Sequence, residues 1–352
     1  MSLNATEGFD HYSAQSDLWL RSGALQWTTA NNSFVTWSIV TPGRGGLGAC
    51  LQGSSGAVNP SLTGSFNVNL AAAFFGFGMT FTNSAADVTV ELLDPLASST
   101  PQLMLAFTAS TGTIQLTRGG TVIETSAPNA FNASVWEFVE VGATINGTSG
   151  SLVLQVNNAT VLSYSGNTQV SSNASFGAVR ITGIPNTGGM TVSLDDFRWN
   201  DTTTGPGTYP CNGFMGDLRV VPLYPTANSA VTWTPLTGAN WQEVSETAFD
   251  GDTSYNAAST VGDEDLFTMG SVPSAATVIA VSLIGAYRSG DATAHTLTQQ
   301  LSVGGTDHAG AVQTLALGYQ FVSDVFPVNP TTAASWAAAD VNTMLAGYKV
   351  AS

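Results

Sequence analysis

The chain has 352 residues, of which 43% are hydrophobic and only 9% charged, and its 24 acidic against 8 basic residues give a net charge of −16. This charge repels phosphate backbones and anionic lipid headgroups, so we expect neither nucleic acid nor a membrane as a partner. One hydrophobic core rarely grows beyond about 250 to 300 residues. The length therefore predicts two domains.

Period-2 alternation of apolar and polar residues predicts a first all-β domain over residues 1–200. Two hairpins are expected, with turns at Arg118-Gly119-Gly120 and at Asn157-Asn158. The segment Val135 to Ile145 is apolar on both parities, as in a central strand that is covered on both faces. The apolar parity then shifts across Asp195-Asp196, which predicts a β-bulge there.

The tryptophans of this domain fall inside strand patterns and are expected in its core. Trp136 should lie in the central strand and face the interior, and the same is expected of Trp19, Trp27 and Trp37.

Residues 201–211 form a threonine-rich stretch with glycine and proline, which predicts a linker. A second β-sandwich is expected over residues 212–352. Its predicted strands are Leu218 to Leu223, Thr277 to Tyr287, Leu297 to Val303 and Thr314 to Phe321. One helix is predicted from Trp336 to Ala346, ended by Gly347. The fold class is therefore all-β with one short terminal helix.

The opening residues lack a basic region and an apolar core, so no secretory signal peptide is expected. Cys50 and Cys211 fall in different predicted domains without metal-ligand spacing. We interpret both as buried thiols.

Three motifs of the first domain resemble the concanavalin A-like lectin and glucanase superfamily in its laminin-G-like form. They are the Gly43 to Leu51 segment, the Val135 to Val141 strand with the Gly150 to Asn157 hairpin, and the closing Ser193 to Phe197 strand. The resemblance covers residues 1–200 and implies a jelly-roll sandwich.

A second resemblance is to structural proteins of bacteriophage and gene-transfer-agent particles. It rests on Glu7 to Tyr12, Asp250 to Tyr255, Gly262 to Phe267 and Asn329 to Trp336. It implies a surface appendage or cement of a virion, as a head decoration or a tail-tip or fibre component, assembled in the bacterial cytoplasm. The implied partners are other virion proteins. Sheet edges and the low charge also favour association with copies of the chain in a homo-oligomer, for which a trimer is one option. The alternative function is a carbohydrate-binding module that attaches the particle to host surface polysaccharide.

Catalysis is not expected. Glucanases of this superfamily need paired carboxylates spaced as Glu-x-Asp-x-x-Glu, and that spacing is missing from the sequence. The three histidines, His11, His295 and His308, lie in no recognisable nucleophile motif.

An acidic segment from Glu243 to Asp265 offers the candidate metal ligands. Asp250, Asp252, Asp263 and Asp265 could bind Ca²⁺ through their carboxylate oxygens. The alternative is a solvated acidic loop or turn residues that cap backbone amides. No other cofactor is expected. Trp233 and Trp241 lie in a looser segment and are the candidate residues for stacking against a glycan.

Overall fold

The computed structural model describes residues 3–21, 25–29, 35–56, 58–82, 86–95, 97–185, 188–201 and 213–352. Their regular structure is almost entirely β-strand, in two large sheets up to residue 201 and in further sheets after residue 213. The predicted all-β fold class is confirmed: an N-terminal jelly-roll sandwich is followed by a second β-sandwich with one short helix near the C-terminus.

The first sandwich consists of two antiparallel sheets, accompanied by short 3₁₀ helices at Gln15–Leu20 and Arg44–Gly46. Its strands are β1 (Leu3–Glu7), β2 (Gln26–Thr29), β3 (Val35–Val40), β4 (Cys50–Ser55), β5 (Ser61–Leu70), β6 (Ala72–Thr82), β7 (Asp87–Asp94), β8 (Ala97–Thr108), β9 (Thr113–Arg118), β10 (Thr121–Thr125), β11 (Glu137–Thr144), β12 (Gly150–Val156), β13 (Ala159–Gly166), β14 (Phe176–Ile184) and β15 (Met190–Asp201). Sheet I has the order β13-β12-β11-β6-β15-β4-β3, with β1 also paired to β15, and sheet II has the order β10-β9-β8-β7-β14-β5-β2.

The main hydrophobic core lies between sheets I and II. Alternation along each strand sends every second side chain inward, so Phe77 of β6 and Val141 of β11 face Leu92 of β7 and Leu105 of β8 in one buried cluster. The intervening residues, among them Glu140, lie on the outer face of their sheet. The residues on the outer face of each sheet can therefore be polar or charged, although their neighbours in the strand are core residues.

Four local features of this domain agree with the sequence. The hairpins turn at Arg118 to Thr121 and at Asn157-Asn158, and both asparagines have positive φ. Strand β11 is buried on both faces and pairs with β6 and β12. The register of β15 against β6 shifts between Asp195 and Arg198, and Asp196 has a φ of 52°. The predicted bulge is confirmed.

The prediction for Trp136 is wrong. This residue precedes β11, which starts at Glu137, and it is only half-buried. Val139 and Val141 take the inward parity of the strand, while Phe138, which shares the parity of Trp136, lies on the outer face. Trp19 is also misassigned: it lies in a 3₁₀ helix and is 44% exposed.

Trp27 and Trp37 are buried in the core as expected. Cys50 is a buried free thiol, while Cys211 lies outside the described residues.

The C-terminal part is built of shorter strands. They are β16 (Pro225–Val231), β17 (Thr234–Pro235), β18 (Asn256–Ala257), β19 (Glu264–Met269), β20 (Val281–Tyr287), β21 (Thr296–Val303), β22 (Thr306–Ala309), β23 (Gln313–Thr314), β24 (Gln320–Phe326) and β25 (Leu345–Val350), with a 3₁₀ helix at Gln242–Val244. Sheet III has the order β16-β19-β25-β21-β22 with β23 on β21, and the pairs β17-β18 and β20-β24 form small separate sheets. Two small cores stabilise this part, one around Leu301 and Trp336 and one around Phe267 and Tyr348.

The predicted helix is much shorter than expected. Only α1 (Ala338–Val341) is helical, and the chain then continues as β25 between β19 and β21. Gly347, predicted to end the helix, lies in the middle of β25, where a Cβ atom would collide with the carbonyl oxygen of Asp265. Pairing along both strand edges therefore outweighs the local helical pattern.

Two predicted strands of the C-terminal part are also wrong in extent. Residues 218–223 are not a strand, because their backbone groups bond instead to side chains of the first sandwich, as Val220 N–H does to Asp196. The predicted strand from Thr314 to Phe321 is interrupted, since β23 ends at Thr314 and β24 starts at Gln320. Leu317, between them, is 60% exposed.

The predicted linker falls mainly on residues 202–212, which lie outside the described residues, so the division into domains at this point stays a prediction. Contacts nevertheless join the two parts. The ring of Phe321 from β24 packs at 5.1 Å from the ring of His11 and at 5.1 Å from that of Tyr12, both in the first sandwich. Phe321 is thereby a member of the core of the first sandwich.

A buried ion pair supports this aromatic contact. Arg21 pairs with Glu7, and both side chains are almost fully buried. Glu7 also accepts hydrogen bonds from the Phe9 amide and the Tyr12 hydroxyl. The bonds of Glu7 therefore hold residues 7–12 in the conformation in which His11 and Tyr12 contact Phe321.

The second contact covers the outer face of sheet I, where residues 213–220 lie over its central strands. We call these residues the covering segment. Arg44 binds Asp196 through Nε at 2.7 Å, and through Nη2 it binds Asp217 and the Leu218 carbonyl, both at 2.6 Å. The Arg44 side chain is only 2% exposed. One guanidinium thus joins the bulge of β15 to the covering segment.

Beside Arg44, a second buried pair holds the covering segment. Arg198 donates to Glu140 at 2.6 Å, and Glu140 accepts the amides of Met215 and Gly216. The ring of Phe138 lies between the two guanidinium groups, 4.9 Å from that of Arg44 and 4.6 Å from that of Arg198. Two cation–π contacts therefore add to the ionic ones.

The first prediction concerns the tryptophans. Trp27→Ala should destabilise the protein by about 3 to 5 kcal/mol, because Trp27 is buried against Phe9 and Phe197. Trp136→Ala is the matched control, with an expected cost of about 1 kcal/mol. Urea denaturation of both variants checks this. Equal losses would contradict the placement of Trp136 outside the core.

The second prediction concerns the charged contact under the covering segment. Arg198→Ala leaves Glu140 buried without its partner, and should cost about 3 to 5 kcal/mol of unfolding free energy. Arg288→Ala removes an ion pair to Asp252 that is exposed to solvent, and should cost at most about 1 kcal/mol. Chemical denaturation compares the two. Similar small losses would show that the covering segment does not depend on this pair.

Candidate functional site

The outer face of sheet II carries a shallow open groove of about 640 Å³. Its lining residues are mostly polar: Thr28, Asn59, Ser61, Thr63, Thr89, Glu91, Met104, Arg180, Thr182 and Ile184. We call it the sheet II groove. The centre of the opposite outer face, on sheet I, is occupied by the covering segment. The groove is therefore the candidate ligand site of the first sandwich.

A row of side chains crosses the groove at right angles to five neighbouring strands. Direct strand pairing places Thr28 opposite Thr63, Thr63 opposite Arg180, Arg180 opposite Glu91, and Glu91 opposite Met104. Opposite residues of an antiparallel pair lie about 4.5 to 5.5 Å apart. The five side chains therefore form one continuous cross-strand row.

The sequence places this row outward through simple alternation. Ile181 of β14 is buried in the core, so Arg180 and Thr182 point away from it. In the same way Val90 and Leu92 of β7 are core residues and leave Glu91 on the outer face. The buried inner face thus fixes the register of the outer one.

An ion pair lies at the centre of the row. The Nε of Arg180 donates to Oε2 of Glu91, and the two side chains are 27% and 12% exposed. Within the part of the chain that the structure describes, no further bond is made by the Arg180 Nη groups or by Glu91 Oε1. The pair therefore leaves the four N–H donors of the two Arg180 Nη groups and one carboxylate oxygen of Glu91 available to a ligand.

A second row runs beside the first and consists of hydroxyl groups. Thr182 lies opposite Thr89 on β7 and opposite Ser61 on β5. The hydroxyls of Ser61 and Thr182 lie 3.0 Å apart and bond to each other, and Ser61 and Thr89 are buried. This row gives the groove a rigid polar floor.

Sequence reasoning missed these residues. Glu91 and Arg180 are 89 positions apart, and their approach depends on the pairing of β7 with β14. The available signal was a charged residue at the outward parity of an otherwise apolar strand, as in Val179-Arg180-Ile181. This pattern predicts that Arg180 lies on an outer face, but it does not predict which strand is paired beside it.

The four candidate calcium ligands do not gather into one group. Among the described residues, no three or more His, Cys, Asp or Glu side chains form a cluster that could hold a metal ion. Asp265 is buried and accepts from the amides of Thr232 and Trp233 and from the side chain of Asn240. These hydrogen bonds to Asp265 hold residues 232–240 against the start of β19.

The other three aspartates make separate contacts. Asp252 pairs with Arg288 at 2.8 Å and accepts from the Tyr319 hydroxyl at 2.8 Å. Asp250 accepts from the hydroxyl of Ser254, and Asp263 lies before β19, where its backbone carbonyl accepts from Trp233 Nε1. These contacts resemble the loop-capping alternative more than a shared metal site.

Trp233 and Trp241 are half-buried and pack against the small core around Phe267 and Tyr348. The ring of Trp233 meets that of Tyr348 edge to face, with 4.7 Å between the centroids. Both tryptophans thus contribute to packing, and neither adjoins the sheet II groove.

Two carboxyl groups beneath the covering segment have strongly raised pKa values. Burial and the nearby charges of Glu7 and Asp196 raise the pKa of Asp10 to about 7. The hydrogen bond from the Ala49 amide acts in the opposite direction and lowers it. Burial and the adjacent Asp196 raise that of Asp195 to about 7. Perturbed acids of this kind are candidates for catalysis when they line a cleft. These two are at most 8% exposed, so burial and the neighbouring carboxylates account for their raised pKa values.

The third prediction follows from the pKa of Asp10. The folded state holds the Asp10 proton up to about pH 7, whereas the unfolded state releases it near pH 3.8. The contribution of Asp10 to stability is therefore greatest below about pH 4 and is lost as the pH rises to 7. Asp10→Asn should remove this loss, so its stability relative to the unmodified chain should increase with pH.

Denaturation midpoints at pH 4.5, 6 and 7.5 measure this change. Asp307→Asn, at an exposed position in β22, is the control and should differ from the unmodified chain by the same amount at each pH. A pH-independent effect of Asp10→Asn would contradict the assignment.

Within the described residues, no helix is long and apolar enough to cross a membrane. No protein-family model and no curated protein sequence matches the chain.

Several solved structures align with about half of the chain. A protein of unknown function with a galectin-like fold from Bacillus subtilis is 10% identical, with a TM-score of 0.39 over 57% of this chain and 96% of the other. A carbohydrate-binding module from Bacillus subtilis is 13% identical, with a TM-score of 0.33 over 48% and 92% of the two chains. A β-glucanase from Bacillus licheniformis is 11% identical, with a TM-score of 0.37 over 57% and 99%. At such identities no residue's role is transferred from these proteins to this chain.

Proposed function

We propose that this protein is a non-enzymatic carbohydrate-binding protein whose ligand lies in the sheet II groove. The observation that carries the proposal is the Arg180–Glu91 pair at the centre of an uncovered row of polar side chains. A pair of this kind offers fixed N–H donors and a carboxylate acceptor side by side, which match the neighbouring hydroxyl groups of a sugar. Thr63 and Thr182 extend the same chemistry on both sides.

The composition of the groove supports binding without hydrolysis. Glycoside hydrolysis by the usual mechanisms requires two carboxyl groups that flank the scissile bond. Of the lining residues that the structure describes, Glu91 is the only carboxylate, and it is bound to Arg180. On the outer face of sheet I, the carboxylates of Glu140 and Asp196 bind arginines beneath the covering segment.

A particle surface is the setting we propose for this binding. The support is the resemblance of the sequence to virion proteins, which begins with Glu7 to Tyr12. The chain would then serve as an appendage, decoration or fibre component, in contact with other virion proteins and with copies of itself, and would attach the particle to host polysaccharide. Electron microscopy of purified particles labelled with an antibody against the chain tests this setting, and unlabelled particles would count against it.

The fourth prediction tests the groove directly. Arg180→Met would remove the proposed hydrogen bonds from a charged donor to the ligand, and bonds of this kind contribute about 1.5 to 3 kcal/mol each. Affinity for a bound glycan should therefore fall at least about tenfold. A glycan array identifies the ligand, and titration calorimetry measures the loss. Hydrolysis products should not accumulate from that ligand.

Arg288→Ala is the matched control, because it removes an arginine of the C-terminal part that is outside the groove. Thr63→Val, which keeps the side-chain shape but loses the hydroxyl, should weaken binding without loss of stability. Unchanged affinity in both groove variants would rule out this site, and released reducing ends would rule out a purely binding role.

A further inference from the structure

We infer that the ligand of the sheet II groove is an uncharged, extended oligosaccharide that lies across the strands, and not an acidic polysaccharide or a single sugar. This inference rests on the proposed carbohydrate binding and adds the ligand's charge, length and direction.

The charge of the ligand follows from the groove's own charges. Among the described residues that line the groove, Arg180 and Glu91 are the only charged ones, and they neutralise each other. A ligand carboxylate that approached Arg180 would also meet the negative charge of Glu91. In addition, the whole chain carries a net charge of −16, which repels polyanions. Both effects favour an uncharged ligand.

The remaining lining groups support the same conclusion. Thr28, Thr63, Thr89, Thr182 and Ser61 present hydroxyl groups, which donate and accept equally well and therefore suit other hydroxyl groups. The threonine methyl groups, with Met104 and Ile184, add small apolar patches. Sugars without charged substituents have this mixture of hydroxyl and C–H surface.

The length and direction of the ligand follow from the row of side chains. From Thr28 to Met104 the row crosses five strands, and four spacings of about 4.8 Å span about 19 Å. This distance is several times the width of one sugar ring. The second row, Thr89, Thr182 and Ser61, is two residues away along each strand, about 7 Å, and runs parallel to the first. The polar strip is therefore longer across the strands than along them.

The experiment compares neutral and acidic oligosaccharides of matched length. Glucan, mannan and galactan oligomers of one to six units and oligogalacturonates of one to six units are titrated into the full chain at low ionic strength. At least one neutral series should bind, with affinity rising at least about tenfold from one unit to four and then levelling off. Oligogalacturonates should not bind, and added NaCl should leave the neutral affinity unchanged.

Glu91→Gln tests the charge argument with little change of shape. It leaves Arg180 without its countercharge, so oligogalacturonate binding should become measurable. Arg180→Met should bind the neutral series at least about tenfold more weakly and should not bind oligogalacturonates. Circular dichroism and thermal unfolding show that both variants are folded.

The outcomes separate this inference from the proposed function. If acidic oligomers bind the unmodified chain more tightly than neutral ones, or if single sugars bind as tightly as tetramers, the inference is wrong and carbohydrate binding stands. If neither the neutral nor the acidic series binds, both are wrong.

Discussion

The structure depends on the burial of arginine side chains where the two parts of the chain meet. The protein has only eight basic residues, and three of them, Arg21, Arg44 and Arg198, are almost fully buried in ion pairs at this contact. A buried arginine is tolerated only when its charge and hydrogen bonds are matched. Its carboxylate partners are therefore constrained as strictly as the apolar core.

The β-bulge in β15 makes this arrangement possible. Without the extra residue, Asp195 and Asp196 would point to opposite faces of sheet I, as neighbours in a regular strand do. With it, Asp195 accepts the Arg44 amide while Asp196 binds the Arg44 side chain and the Val220 amide. Adjacent carboxylates thus anchor both a loop of the first sandwich and the covering segment. Burial and the adjacent Asp196 charge raise the pKa of Asp195, so this raised pKa is a consequence of how the contact is packed.

Occupation of one outer face determines where a ligand can bind. The covering segment places backbone and Asp217 over sheet I, so its Glu140 and Asp196 carboxylates face protein. Sheet II has a polar outer face with a groove, and its central arginine pairs with one carboxylate while its Nη groups face the groove. Arginine–carboxylate pairs therefore lie on both outer faces of the sandwich. On sheet I they hold the covering segment, and on sheet II the pair is proposed to bind a glycan.

The sequence by itself determined the features that depend on neighbouring residues. Strand alternation, the Asn157-Asn158 turn and the parity shift at Asp195-Asp196 follow from local backbone geometry and from which side chains must avoid water. Local patterns gave a wrong prediction where pairing with distant strands opposed them, as in the helix predicted up to Ala346. Leu345–Val350 became a strand because β19 and β21 pair with both of its edges.

The outer faces were decided only by the tertiary structure. Phe138 shares the parity predicted for the core, yet it lies between two arginines on the outer face, since Val139 and Val141 occupy the interior. Glu91 and Arg180 become neighbours only through the pairing of β7 with β14. A side chain's parity is fixed within its own strand, whereas its partner is fixed by strands that are far away in the sequence. For that reason the sequence determined the class of fold, and the tertiary structure decided which polar residues form the candidate site.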